Sequence, residues 1–380
     1  MINKSADGLR GVASLNVVIS HFIAAFLPTL LYTSYPHVFS QTTNPGILFQ
    51  ILNLPFVTIF FNGHLAVLIF FVLSGYVLTM PYFSAEKNAS LILQKRLWAR
   101  FLRLNIPIFV AVWISFTLYV LNLYFNSAAA DISGSNSWLK NYFYPGISPW
   151  IAIKESLYGS LLLGNNTLVP PLWTLKVEFI GSVYLLLFYL IKPKNTLIPP
   201  LLVCFFLMGI YHGTDSIYYI AIFCGSLLNI LRIGPSLTVI AFVLGFYMGG
   251  YQYHSIWYAH LPSVSHWIAE TAIDKTLYNT LGALLITAAV INGFGKNFLE
   301  TRLIQFLGKI SFPLYLIHFS VLCSISCYLY LALPQGKLSL LMQFPLYIGI
   351  CFAVAWIFEK TVDQPGIRIS HRFSRWLLKK

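Results

Sequence analysis

The sequence predicts an all-α bundle of about ten transmembrane helices with both termini cytoplasmic. Three observations carry that expectation. Hydrophobic residues make up 58% of the 380 and charged residues only 9%, where a soluble domain averages about 25% charged. Ten apolar runs approach the roughly 20 residues that cross a bilayer core: 8–30, 58–80, 105–125, 172–191, 197–211, 216–231, 236–251, 277–292, 310–332 and 341–359. When these runs alternate in direction, nineteen of the 24 Lys and Arg fall on the side of the N-terminus and four on the opposite side. Basic loops stay in the cytoplasm, so the bias sets the orientation.

The formal net charge of +13 would suit nucleic acid in a soluble protein. In a membrane protein it reads as topology and attraction to anionic lipid, and no nucleic-acid partner is expected. The five cysteines lie in apolar stretches; neither a disulfide framework nor a Cys/His metal site is expected. The first apolar run carries ionisable residues and many more runs follow it, so it reads as a first span rather than a signal peptide. A single domain over 1–380 follows, multi-pass in the inner (plasma) membrane, with no soluble extracytoplasmic domain.

Each element then contributes differently. The first span carries Asp7, Arg10, Ser14 and His21 on one helical face, with Arg10 and His21 about 16 Å apart along the axis. Ionisable groups within a span are costly and mark a protein interior or a water-filled cavity. Arg10 suits a phosphate or a developing negative charge, or else anchors the helix at the inner interface. In the second span, Ser74-Gly75 reads as a close helix contact rather than a nucleophile. The inner loop after it holds Arg96, Arg100 and Arg103, which share a face and suit a polyphosphate cofactor. The outer loop 126–171 has a Ser/Gly/Asn-rich part and then Trp150 to Leu163, read as a re-entrant or interfacial helix. The fourth span descends from about Leu172 and carries Glu178, about 9 Å below the outer boundary. His21 lies about 10 Å below the same boundary, so the two are expected to meet. A carboxylate would fix the imidazole tautomer and raise its basicity, as a general base acting on a hydroxyl needs. The outer loop 252–276 is rich in His and aromatic residues, among them Tyr253, His254, Trp257, Tyr258, His260, His266 and Trp267; it either stacks on a sugar or forms an interfacial belt. The ninth span places Tyr315 and His318 on one face, with Pro313 as a kink. The basic tail from Arg368 to Lys380 is expected to meet anionic lipid.

Asp7-Gly-Leu-Arg10-Gly with His21, Phe70-Phe71-Val-Leu-Ser74-Gly75-Tyr76, the arginines 96, 100 and 103, Leu172-Trp173-Thr174-Leu175-Lys-Val-Glu178 and Ser311-Phe-Pro-Leu-Tyr315-Leu-Ile-His318 occur in an order that resembles the acyltransferase-3 family of integral membrane acyltransferases. The resemblance implies transfer of an acyl group, usually acetyl from cytoplasmic acetyl-CoA, to a hydroxyl of a carbohydrate such as O-antigen, exopolysaccharide or another envelope glycan, free or lipid-linked. It maps the family's Arg-x10-His pair onto Arg10 and His21, its Glu onto Glu178 and its loop arginines onto Arg96, Arg100 and Arg103. The expected catalytic set is His21, Glu178 and Arg10. Arg96, Arg100, Arg103, Ser14, Tyr315 and His318 are expected to line the path of the acetyl-CoA donor, and no metal is expected. The competing class is a carrier or flippase for a glycan lipid or small solute; a scaffold for polysaccharide assembly is a third.

Overall fold

A computed structural model describes residues 3–41, 46–84, 88–191, 197–265 and 272–378. His266 and Trp267 of the aromatic loop, and Lys379 and Lys380 of the tail, lie outside the described residues. Among the described residues the chain is helical without a β-strand. Its principal helices are α1 (Lys4–Phe26), α2 (Gly63–Phe83), α3 (Ala89–Val120), α4 (Trp173–Ile191), α5 (Ile198–His212), α6 (Ser216–Leu227), α7 (Pro235–Gly249), α8 (Ile273–Ile291), α9 (Arg302–Val321), α10 (Lys337–Phe358) and α11 (Gln364–Leu377).

Seven helical stretches among these are long and apolar enough to cross a membrane. The expected ten runs are all helical, but their lengths differ from a simple ten-span reading. The fifth and sixth runs form α5 and α6, of 15 and 12 residues, joined by a single tight turn into one stretch, Ile198–Leu227. The seventh run, α7, is only 15 residues long, about 22 Å. The eighth, α8, carries Asp274 and Lys275 in its first turn.

Local chemistry explains where the helices begin and bend. The Asn3 side chain caps α1 by accepting from the Ala6 amide, and Asn62 caps α2 by accepting from Leu65. Pro81 inside α2 has no amide proton, so the Val77 carbonyl loses its helical partner. Arg96 fills that gap, donating to the carbonyls of Val77 at 2.6 Å and Leu78 at 2.7 Å. The outer loop 126–171 is largely helical, and Trp150 to Leu163 lies within a continuous helical stretch as expected. Glu155 in that stretch is fully buried and accepts from the amides of Thr167 and Leu168 at 2.7 and 3.1 Å. It thereby folds the segment before α4 back into the bundle.

The pairing that positions everything else is α1 against α9. A Cβ built on Gly11 would lie 2.4 Å from the Gly308 amide nitrogen, and one on Gly308 would lie 2.5 Å from the Asp7 carbonyl oxygen. Small residues let helix backbones touch in this way. Gly75 and Gly225 do the same for α2 and α6, where an added Cβ meets Ile222 and Val72 carbonyl oxygens, so Gly75 makes the expected close helix contact while Ser74 faces a cavity. Gly308→Val is expected to destabilise the protein by about 1–3 kcal/mol, the usual cost of overpacking. A thermal unfolding scan of the detergent-solubilised variant checks this; an unchanged midpoint would show that α1 and α9 can separate freely.

Candidate active site

From their contact point, α1 and α9 run parallel, and both place a histidine ten residues on. His21 Nδ1 lies 2.8 Å from His318 Nε2, with the two ring planes within 13° of each other and their centroids 5.0 Å apart, the edge-to-edge arrangement that an in-plane N–H···N bond needs. The proton order follows from the far end. His318 Nδ1 lies 3.0 Å from the Leu314 carbonyl oxygen, which can only accept, so Nδ1 carries the proton. In the neutral pair His318 Nε2 is then the acceptor, His21 Nδ1 the donor, and His21 Nε2 keeps its lone pair. Trp138 and Phe319 pack around the His21 ring, each at 5.5 Å between centroids. His318 is fully buried and lines neither of the two cavities described next.

His21 lines a cavity of about 340 Å³ together with Tyr35, His64, Trp138, Tyr142 and Asn166. No Asp, Glu, Lys or Arg lines it. Burial raises the phenols of Tyr35 and Tyr142, the latter to about 12, so both remain neutral hydroxyls. A second cavity, of about 650 Å³, lies at the Arg10 end of α1 and is lined by Arg10, Ser74, Arg100, Arg103, Glu178 and Lys309, among others. Tyr315 and Val67 line both cavities and form the partition between them. The Tyr315 hydroxyl is held 2.7 Å from Thr174 Oγ1 and donates to the Pro171 carbonyl at 3.0 Å.

Every cation in the larger cavity is matched by a carboxylate. Arg100 Nη2 donates to Glu178 at 2.7 Å and also reaches Ser74 Oγ at 3.2 Å, while its Nε donates to Ser182 Oγ at 2.9 Å. Arg103 binds both oxygens of Asp363, at 2.6 and 3.5 Å, and lies over the Phe312 ring. Arg10 is 3.5 Å from Asp7, and Lys309 3.5 Å from the buried Glu359. Arginine forks of this kind fix carboxylates as well as neutralise them.

Several sequence expectations change here. Glu178 does not orient His21; it belongs to the other cavity and to Arg100. The depth estimate placed the outer boundary near Leu172, but the chain there lies within the bundle. The chain before α4 dips inward, so that Asn166, Pro170, Pro171 and Trp173 already line the His21 cavity, and Glu178, more than a turn further on, drops below the partition. His318, expected along the donor path, is instead the partner of His21. Ser14 lies on the stripe but is fully buried, donates to the Gly11 carbonyl at 2.8 Å and lines neither cavity. Arg96 donates to the Val77 carbonyl freed by Pro81 and to the adjacent Leu78 carbonyl. Arg10, Arg100, Arg103 and Tyr315 do line the larger cavity.

Sequence reading missed Tyr35, His64, Trp138, Tyr142 and Asn166, which sit in loops and at helix starts with no local pattern to single them out. The described residues of the 252–276 loop line neither cavity; the aromatic wall comes from the loops after α1 and α3 instead. Asp363 had a signal: it is the one acid after Glu359, amid a basic tail. No group of His, Cys, Asp and Glu able to hold a metal occurs among the described residues.

A polytopic helical bundle with seven stretches long and apolar enough to cross a membrane, a hydrogen-bonded histidine pair beside one cavity and paired charges around a second, is an integral membrane protein. The family model for the acyltransferase domain of the acyltransferase-3 type matches residues 3–360, and the chain belongs to that family, a membrane acyltransferase. Neither the comparison with curated proteins nor that with solved structures gives a match.

The hydrogen-bond order makes a spectroscopic prediction. Nitrogen-15 spectra of histidine-labelled protein near neutral pH are expected to show both His21 and His318 as Nδ1–H tautomers, with His318→Ala releasing His21 to a tautomer mixture. A His21 that already favours Nε2–H in the unmodified protein contradicts the arrangement.

Proposed function

We propose that the protein transfers an acetyl group from cytoplasmic acetyl-CoA to a hydroxyl of a carbohydrate that reaches the opposite cavity. The observation that carries this reading is the partition: one cavity with polar, charged walls, one neutral and aromatic, and a histidine with an available lone pair in the second, next to the Tyr315 and Val67 boundary. The charge bias of the loops supports a cytoplasmic Arg10 end.

In this reading the acyl-bearing arm of acetyl-CoA extends through the larger cavity past Arg10, Arg103, Arg100 and Ser74 until the thioester meets the partition. Ser74 and Glu178 face the arm and can bond its amides. The acceptor lies in the smaller cavity against Trp138, Tyr35 and Tyr142. Flat aromatic faces with neutral donors suit an uncharged sugar, since aromatic side chains combine an apolar body with a polar tip. The acceptor hydroxyl attacks the thioester carbonyl carbon while its proton passes to His21 Nε2. The carbon–sulfur bond then breaks, and the leaving thiolate takes the proton back from the imidazolium. His318 supports that cycle by accepting from His21 Nδ1, a bond that strengthens as His21 becomes charged. Arg100 holds Glu178 and Ser74 in place, so a neutralising change there acts on positioning.

His21→Ala is expected to lower kcat by about 10²–10⁴-fold, the usual contribution of a general base, with little change in the KM for acetyl-CoA. The measurement uses purified protein, acetyl-labelled acetyl-CoA and a glycan acceptor, with label in the glycan as the readout. Transport of the glycan without covalent labelling by the unmodified protein would replace this reading with a carrier.

A further inference from the structure

The family match ends at residue 360, and the helix beyond it carries a pocket of its own. α11 has three faces. Gly366, Ser370 and Ser374, spaced by four, are buried, with Gly366 facing Ile106 and Pro107 of α3. Ile369, Phe373 and Trp376 form an exposed apolar face, as on a helix lying in a membrane interface. Arg368, His371, Arg372 and Arg375 form the third. Together with Lys95 of α3 and Ser374 they line a pocket of about 520 Å³.

Two features separate this pocket from an ordinary basic face. It holds no acidic residue, and among the described residues Lys95, Arg368, Arg372 and Arg375 form no salt bridge. Arg368 and Arg375 direct Nε at carbonyls of their own helix, those of Gln364 and His371 at 3.4 and 3.3 Å, which leaves their terminal NH₂ groups for a ligand. The larger cavity is the opposite case, with each cation already neutralised. A polyanion gains most from unmatched guanidiniums. The pocket also continues from the cavity along the same two helices. Arg100 and Arg103 of α3 and Gln364 and Ile367 of α11 line the cavity; Lys95 and Arg368 line the pocket. Lys95 and Arg103 are about 12 Å apart along α3, so a long molecule can lie across both.

We propose that this pocket binds the 3′-phosphate and the diphosphate of CoA, while the acyl-bearing arm runs on into the cavity. The proposal rests on the donor assignment above. It gives the paired arginines of the cavity the task of shaping the path, and the unpaired ones beyond the family match the task of holding the nucleotide.

The test uses the full-length protein in nanodiscs of neutral phosphatidylcholine and measures binding of CoA, dephospho-CoA and adenosine 3′,5′-bisphosphate by calorimetry. The unmodified protein is expected to bind CoA about tenfold more tightly than dephospho-CoA. The double variant Arg372→Ala/Arg375→Ala is expected to bring that ratio close to one and to weaken adenosine 3′,5′-bisphosphate by about tenfold. Both arginines are exposed, and exposed substitutions rarely disturb folding; the unfolding midpoint of the variant verifies this. Unmodified protein that binds CoA, with a variant that binds it equally well, overturns the pocket and leaves the donor standing. Unmodified protein that binds no CoA overturns both. A third arm adds phosphatidylglycerol to the discs: an effect of the substitutions that appears only there makes the pocket a lipid headgroup site and also overturns the proposal.

Discussion

The contact of two backbones at Gly11 and Gly308 governs the rest of the molecule. Any side chain there would push α1 and α9 apart by more than a hydrogen bond tolerates. Because the helices are parallel, equal distances along them arrive at the same level, and His21 meets His318 ten residues beyond. The dyad therefore depends on two hydrogen atoms standing where other residues carry a Cβ. The same helix pair supplies Arg10 and Lys309 at one end and His21 and Phe319 at the other, so one packing decision sets walls in both cavities.

Charge is arranged by a second principle. In the larger cavity cations and carboxylates come in pairs, and removing the cation beside the buried Asp363 or Glu359 leaves a buried carboxylate uncompensated. The pairs join distant parts of the chain: Arg103 to Asp363, Arg100 to Glu178, Lys309 to Glu359. They act as ties between α3, α4, α9 and the segment leading into α11, and they hold polar walls within a bundle that is otherwise apolar.

How much of this was legible in the sequence depended on whether a feature was local. The helical class, the apolar runs and the Arg10–His21 stripe follow from composition and period, and the structure bears out the helices, though only seven stretches meet the length and hydropathy of a span. The partner of His21 was not legible. A depth estimate takes the start of an apolar run as the outer boundary, and the chain before Trp173 already lies within the bundle because Glu155 draws it inward. Arg96 was misread for a related reason. A loop arginine looks available until a proline on another helix leaves a carbonyl that only a long donor can reach. The aromatic wall around His21 lies in loops, where spacing carries no period to read, and the resemblance of motifs names none of its members.

The partition made by Tyr315 and Val67 has a consequence for how such a protein coexists with an energised membrane. On the proposed reading neither substrate passes the partition; an acetyl group changes owner across it in one direction and the hydroxyl proton in the other. No alternating access is required, and the work is drawn from the thioester rather than from an ion gradient. The bilayer thus needs no open path for free protons, because the one proton that crosses per turnover does so in exchange for the acetyl group, and an exchange without net charge need not respond to membrane potential.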